Sequence, residues 1–179
     1  MSIFKYLHEF QEDILFLDAI QQVECKYYDL CVDFASKEDA ERIKAMNLET
    51  YKGELETSLL QAMKLSKKKQ ARAIYYEYDL DNNWDSHFFL CSDYRPLAEQ
   101  DDDWACDWED VVKGPYLPEF ARIYSENGFD SSRKAIGITL YLIARTVCAF
   151  ASVCYGTDRS VPLCIGFHDQ DPIVRINTD

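Results

Sequence analysis

Apolar positions at the start of the chain recur at steps of three and four. Ile3, Leu7, Phe10, Ile14 and Leu17 line one side of a helix. Ile20, Val23, Tyr27, Leu30 and Phe34 continue that spacing, either in the same helix or after a break. Ser36, with Asp39 three residues on, has the form of a capping box and predicts a new helix start. The helix it opens carries Ile43, Tyr51, Leu55, Leu59 and Met63, with an interruption expected near Gly53. It closes on Lys67, Lys68 and Lys69, cations that suit the negative end of a helix dipole. Residues 1–70 therefore read as helical.

The period then shortens to two. Over 71–79, Ile74, Tyr76 and Tyr78 fall on one face of a strand and Ala73, Tyr75 and Glu77 on the other. Asp81, Asn82 and Asn83 supply turn chemistry, and 86–92 reads as the returning strand of a hairpin. Residues 95–118 keep neither period and read as an irregular acidic stretch carrying Trp104 and Trp108. A short helix over 117–126 is expected to stop at Asn127-Gly128. A long apolar helix follows over 135–156, with Ile136, Leu140, Ile143, Val147 and Phe150 on its most regular stripe. Asp130, Ser131 and Ser132 stand before it as N-cap candidates. Finally, 161–167 and 173–176 flank Asp169-Gln170-Asp171-Pro172 as a second hairpin.

This order predicts an α+β fold: N-terminal helices and a long buried helix packed on a small, mainly antiparallel sheet built from two β-hairpins. The chain has 179 residues and no internal repeat or obvious linker. One globular domain is expected over 1–179, with a helical part (1–70) and a hairpin-helix-hairpin part (71–179).

The segment 135–156 is long enough to cross a bilayer. Arg145 sits near its middle, where a charge costs about 2.5–3.5 kcal/mol to insert. A buried central helix is therefore expected, with Arg145 reaching an edge or a partner carboxylate, and no membrane association. The N-terminus lacks the features of a signal or transit peptide. Seven cysteines, an odd number with no CxxC pair, point to free thiols in a reducing cytoplasm. Several, such as Cys148 and Cys164, read as small core residues.

Charge separates the regions more sharply than hydropathy does. The chain has 19 Lys and Arg against 32 Asp and Glu, a formal net charge of −13. Residues 71–110 hold 2 basic and 12 acidic residues, net −10, so most of the excess lies in forty positions. A nucleic-acid partner is disfavoured, because a phosphate backbone repels such a surface. Within this segment Asp101, Asp102, Asp103, Asp107, Glu109 and Asp110 interleave with Trp104 and Trp108. One reading is a solvated loop whose tryptophans tuck into the core. The other is a protein-binding face, with tryptophan anchors and carboxylates that steer a basic partner. Calcium binding ranks behind both, since no EF-hand spacing or central glycine supports it.

Catalytic signatures are missing: there is no GxSxG elbow, GxGxxG or GxxxxGK pattern, and no HExxH spacing. No catalytic residue and no cofactor is assigned. Cys164 and His168 would stand about 13 Å apart along an unbroken strand, too far for proton transfer. His8 falls on an amphipathic helix as a surface or rim residue. If the two hairpins share one sheet, His87, His168, Asp169 and Asp171 could converge as a zinc site or an acid-oriented general base. The simpler reading, preferred here, has His168 ending a strand and the aspartates forming the turn.

The stretches ARAIYYEYDLDNNWDSHFFL and VPLCIGFHDQDPIVRI are similar in general pattern to small, acidic, uncharacterised bacterial families encoded beside polymorphic toxins, many regarded as immunity proteins. The resemblance covers 71–176, rests on no diagnostic motif and transfers no site residue. It implies a cytoplasmic inhibitor that meets a basic toxin through an acidic face. The expected function is thus a protein-binding module of immunity type. Its rivals are a small enzyme or metal protein built on His87 and His168, and a scaffold protein whose acidic loop only confers solubility.

Overall fold

The computed structural model describes residues 2–16, 20–155, 157, 160–168 and 173–176. Four helices come first: α1 (Ile3–Phe16), α2 (Ile20–Phe34), α3 (Lys37–Lys44) and α4 (Glu49–Lys69). The hairpin of β1 (Ala73–Tyr78) and β2 (Ser86–Cys91) follows, then β3 (Trp108–Lys113), α5 (Pro118–Asn127) and α6 (Arg133–Cys154). The second hairpin, β4 (Leu163–Phe167) and β5 (Val174–Arg175), closes the fold. The α+β reading is correct.

The helix starts follow the local chemistry. Ser36 Oγ accepts the Asp39 N–H at 3.0 Å, and Ser132 Oγ accepts the Ala135 N–H at 3.0 Å, each closing one orphan donor of a first turn. The expected interruption at Gly53 does not occur, since α4 runs through it. The break lies earlier, between α3 and α4, where the Asn47 side chain accepts the Glu49 N–H at 2.8 Å.

One sheet holds all five strands in the order β3-β2-β1-β4-β5. The two hairpins meet through a parallel pairing of β1 with β4, which the crossover carrying α5 and α6 makes possible. The other three pairings are antiparallel. β3 corrects the reading of 95–118 as wholly irregular: Trp108, Glu109 and Asp110 lie on an edge strand, with a register shift opposite Leu90 and Cys91.

Alternation gives each strand an inner and an outer face. Ile74, Tyr76, Tyr78, Phe88, Leu90, Leu163 and Ile165 join the helices in one hydrophobic core. Tyr76 stacks on Phe150 of α6 at 5.1 Å. Trp84, fully buried and in a left-handed backbone conformation (φ 56°), closes the first hairpin and donates its indole N–H to Thr146 at 3.0 Å. α6 is long and apolar enough to span a membrane, but 83% of its most apolar window is buried inside the fold. Its Gly137 lies so close to α2 that an added Cβ would meet Phe34 Cβ at 2.6 Å. Arg145 reaches off this helix to Glu24 at 3.1 Å and to the Ile43 and Met46 carbonyls, the carboxylate partner its position called for. All seven cysteines are free thiols, with Cys31, Cys91, Cys148, Cys154 and Cys164 buried.

Candidate functional site

The outer face of the sheet begins with a second, smaller core. Ala73, Tyr75, Cys91 and Cys164 from the strands pack there against Trp104, Ala105 and Ile173. Their cover is the acidic segment before β3, which folds over this face as two short 3-10 helices, Leu97–Glu99 and Asp103–Cys106, the second against β2. What fastens this segment is a buried cation. Arg175, 1% exposed, donates to Asp102 Oδ1 at 2.7 Å, to the Arg95 carbonyl at 2.9 Å and to the Ile173 carbonyl at 3.1 Å. Its guanidinium lies 5.7 Å from the Trp104 ring centroid and 6.0 Å from that of Tyr94. A charge taken out of water this completely persists only where its partners are in place.

The acidic residues named from the sequence therefore divide into two groups. Asp102 is structural: it pairs with Arg175 and also accepts the Ile173 N–H at 3.2 Å. Asp101 accepts the Asp103 N–H within the loop at 3.0 Å. Asp110 pairs with Lys69 of α4 at 3.4 Å and accepts the Val111 N–H at 2.9 Å. Asp103, Asp107 and Glu109 stay exposed. The tryptophans divide likewise. Trp104 is 4% exposed, so it anchors the loop and offers no side chain to a partner, whereas Trp108 on β3 is 48% exposed.

The loop leaves the rest of the outer face uncovered. There Trp108 lies 5.1 Å from Phe89, and Phe89 lies 6.3 Å from Tyr75 in a stacked arrangement. A cleft of about 510 Å³ opens at this point, with Tyr75, Phe89 and Trp108 as its aromatic wall and Glu77, Asp103 and His168 among its polar lining. Val111, 40% exposed, extends the apolar strip along the edge strand.

Glu77 is the organising polar residue. In the sheet register it stands between His87 of β2 and Gly166 of β4. His168 Nδ1 lies 3.0 Å from its carboxylate. The Tyr75 phenol lies beside it in the cleft wall, and burial first, then the Glu77 charge, push that phenol well above its ordinary pKa. The phenol therefore stays a neutral donor. Gly166 makes room for it, because a Cβ there would meet the Tyr75 hydroxyl oxygen at 2.7 Å. The two hairpins do share one sheet, and both histidines lie near Glu77. Asp169 and Asp171 lie outside the described residues. Among the described residues, no three His, Cys, Asp or Glu side chains gather as a metal site.

Sequence reasoning passed over Glu77 and Arg175. Glu77 left a signal, as the lone charge on the outer side of a tyrosine-rich strand. Arg175 left none, because its partners lie 80 and 73 positions away in sequence. Comparison with known proteins supplies no relative: no family model, no curated protein and no solved structure matches the chain significantly.

Proposed function

We propose that this chain is a protein-binding module that receives a basic partner on the outer face of its sheet. The supporting observation is the half-covered face itself: an exposed Trp108 beside Phe89 and Val111, with Asp103 lining the adjoining cleft and the exposed Asp107 and Glu109 flanking Trp108 in the chain. Apolar strips with polar rims are the usual form of interaction sites, and tryptophan is favoured at their centres. The excess of ten negative charges over 71–110 gives the electrostatic sign of the partner. In its most specific form the reading is an immunity-type inhibitor, cytoplasmic and neutralising a basic toxin by covering its active site.

The test is a binding assay with the captured partner. Reversing Asp103, Asp107 and Glu109 to lysine is expected to slow association and flatten its salt dependence. Reversing Glu38 and Glu56 on the helices is expected to change neither. Equal rates and equal salt slopes for the two variants would rule out the assignment.

A second reading has an observation of its own. The carboxylate of Glu77 fixes His168 at 3.0 Å beside a cleft, the arrangement of an oriented general base. It calls for a hydrolytic activity lost in His168→Gln with folding intact, measured on a panel of ester and phosphoester substrates. The binding reading calls for no such activity.

A further inference from the structure

We infer that the outer-face cleft receives an arginine side chain from an extended segment of the partner. This rests on the reading of that face as the interface for a basic protein, and it specifies what the cleft recognises.

The chain already seats one arginine on this face. Arg175 lies against the Trp104 and Tyr94 rings with the Asp102 carboxylate at its end. The open cleft next to it offers the same kinds of element, with no arginine seated there among the described residues: the Trp108 and Phe89 rings, the Glu77 carboxylate and, at the rim, Asp103. A guanidinium stacks flat on an aromatic face while its edge donates to carboxylates. Glu77 suits that role because His168 already holds its carboxylate at 3.0 Å, so little orientation is lost on binding. Asp102 lines the cleft too, but its charge is matched by Arg175. Asp103 and the Glu77 carboxylate, whose described ion-pair partner is the titratable His168, therefore supply the negative charge open to a guanidinium.

Lysine fits this site less well. Its ammonium is a compact, strongly hydrated point charge and has no plane to lay on Trp108. Free arginine fits less well for another reason: it lacks the backbone and flanking side chains of an extended segment and forgoes the contacts these would make along the sheet edge. The cleft also adjoins the edge strand β3, where such a backbone would run.

The experiment uses capped pentapeptides with two valines flanking a central residue. They are titrated into the full chain and followed by amide and indole NMR shifts. With central arginine, saturable shifts are expected at the Trp108 indole N–H and at the amides of Glu77, Phe89 and His168. With central citrulline, which keeps the shape and loses the charge, affinity is expected to fall about tenfold, and with lysine about threefold. Free arginine is expected to bind more weakly than the arginine peptide. Trp108→Ala and Glu77→Gln should each lower arginine-peptide affinity about tenfold while retaining the wild-type spectrum elsewhere. Equal binding of the arginine and citrulline peptides, tighter binding of free arginine, or shifts confined to the helices would overturn the inference. If the peptide fails while partner capture still depends on Trp108, the arginine pocket falls and the interface stands. If capture is also independent of Trp108, both fall.

Discussion

The two faces of this sheet are built from the same strands and held by different forces. On the inner face, Tyr76, Phe88, Leu90 and Ile165 pack against helices, and polar groups such as the Trp84 indole, held by Thr146, and the Tyr51 hydroxyl, held by Tyr76, are matched across the core, with the Tyr78 hydroxyl left unpaired. On the outer face a small core of seven buried residues is capped by a loop, and one ion pair fastens the loop. The inner face carries stability through close packing. The outer face carries less of it and leaves Trp108 half exposed. The proposed interface lies on the outer face, where a partner could be received without disturbing the inner packing.

The largest effect is expected on the inner face. Trp84→Ala removes a fully buried ring and its hydrogen bond to Thr146, and should cost about 3–5 kcal/mol. Chemical denaturation should show this as a loss of the whole cooperative transition midpoint, with helices and sheet melting together. A transition confined to the outer loop would break the comparison.

Next is the fastening of the loop. Asp102→Ala leaves Arg175 buried with only carbonyl partners and should cost about 2–3 kcal/mol, less than a fully buried pair because Asp102 is 20% exposed. Its signature is local. Cys91, whose thiol burial pushes up to about 12, and Cys164 lie under this loop, whereas Cys31 and Cys148 lie in the inner core. After the exposed Cys25 and Cys106, alkylation in native buffer should reach Cys91 and Cys164 ahead of Cys31 and Cys148 in the variant. Simultaneous labelling of all four would show that the faces unfold as one unit.

A smaller cost belongs to Gly137. Substitution by valine pushes a Cβ into Phe34 and separates α2 from α6, for about 1–3 kcal/mol by thermal melt, with the outer cleft and its peptide binding unchanged. Smallest in stability is Trp108→Ala, expected within about 1 kcal/mol of wild type because the side chain is already half exposed. Its effect should appear in binding instead. A variant that loses stability and not binding would reverse the assignment of the two faces.

The inner face was the legible one. Its periodicities, the caps at Ser36 and Ser132, both hairpins and the reach of Arg145 to a carboxylate all follow from chemistry within a few residues or from the cost of burying a charge. The outer face was legible only in its charge. The Trp108–Lys113 strand escaped because an edge strand with a register shift shows no clean alternation. Trp104 and Trp108 looked equivalent in sequence, and only contacts distant in the chain, with Tyr75, Cys164 and Arg175, separate the buried one from the exposed one. The break at 45–48 was misplaced to Gly53 because glycine within a helix weakens it without ending it. Nothing local fixed the parallel union of β1 with β4, so the meeting of His87 and His168 beside Glu77 could be framed only as a condition.

The most direct test of the outer face as an interface is a comparative capture. Wild-type chain, Trp108→Ala, the Asp103/Asp107/Glu109→Lys variant and the Glu38/Glu56→Lys variant serve as baits in cells known to express toxins. Each is washed across a salt series, and retained proteins are identified by mass spectrometry. The account predicts one basic protein held by wild type and by the helix-side variant, released at high salt, and lost from both outer-face variants. A partner retained equally by all four baits, or no basic protein retained by any, would contradict it.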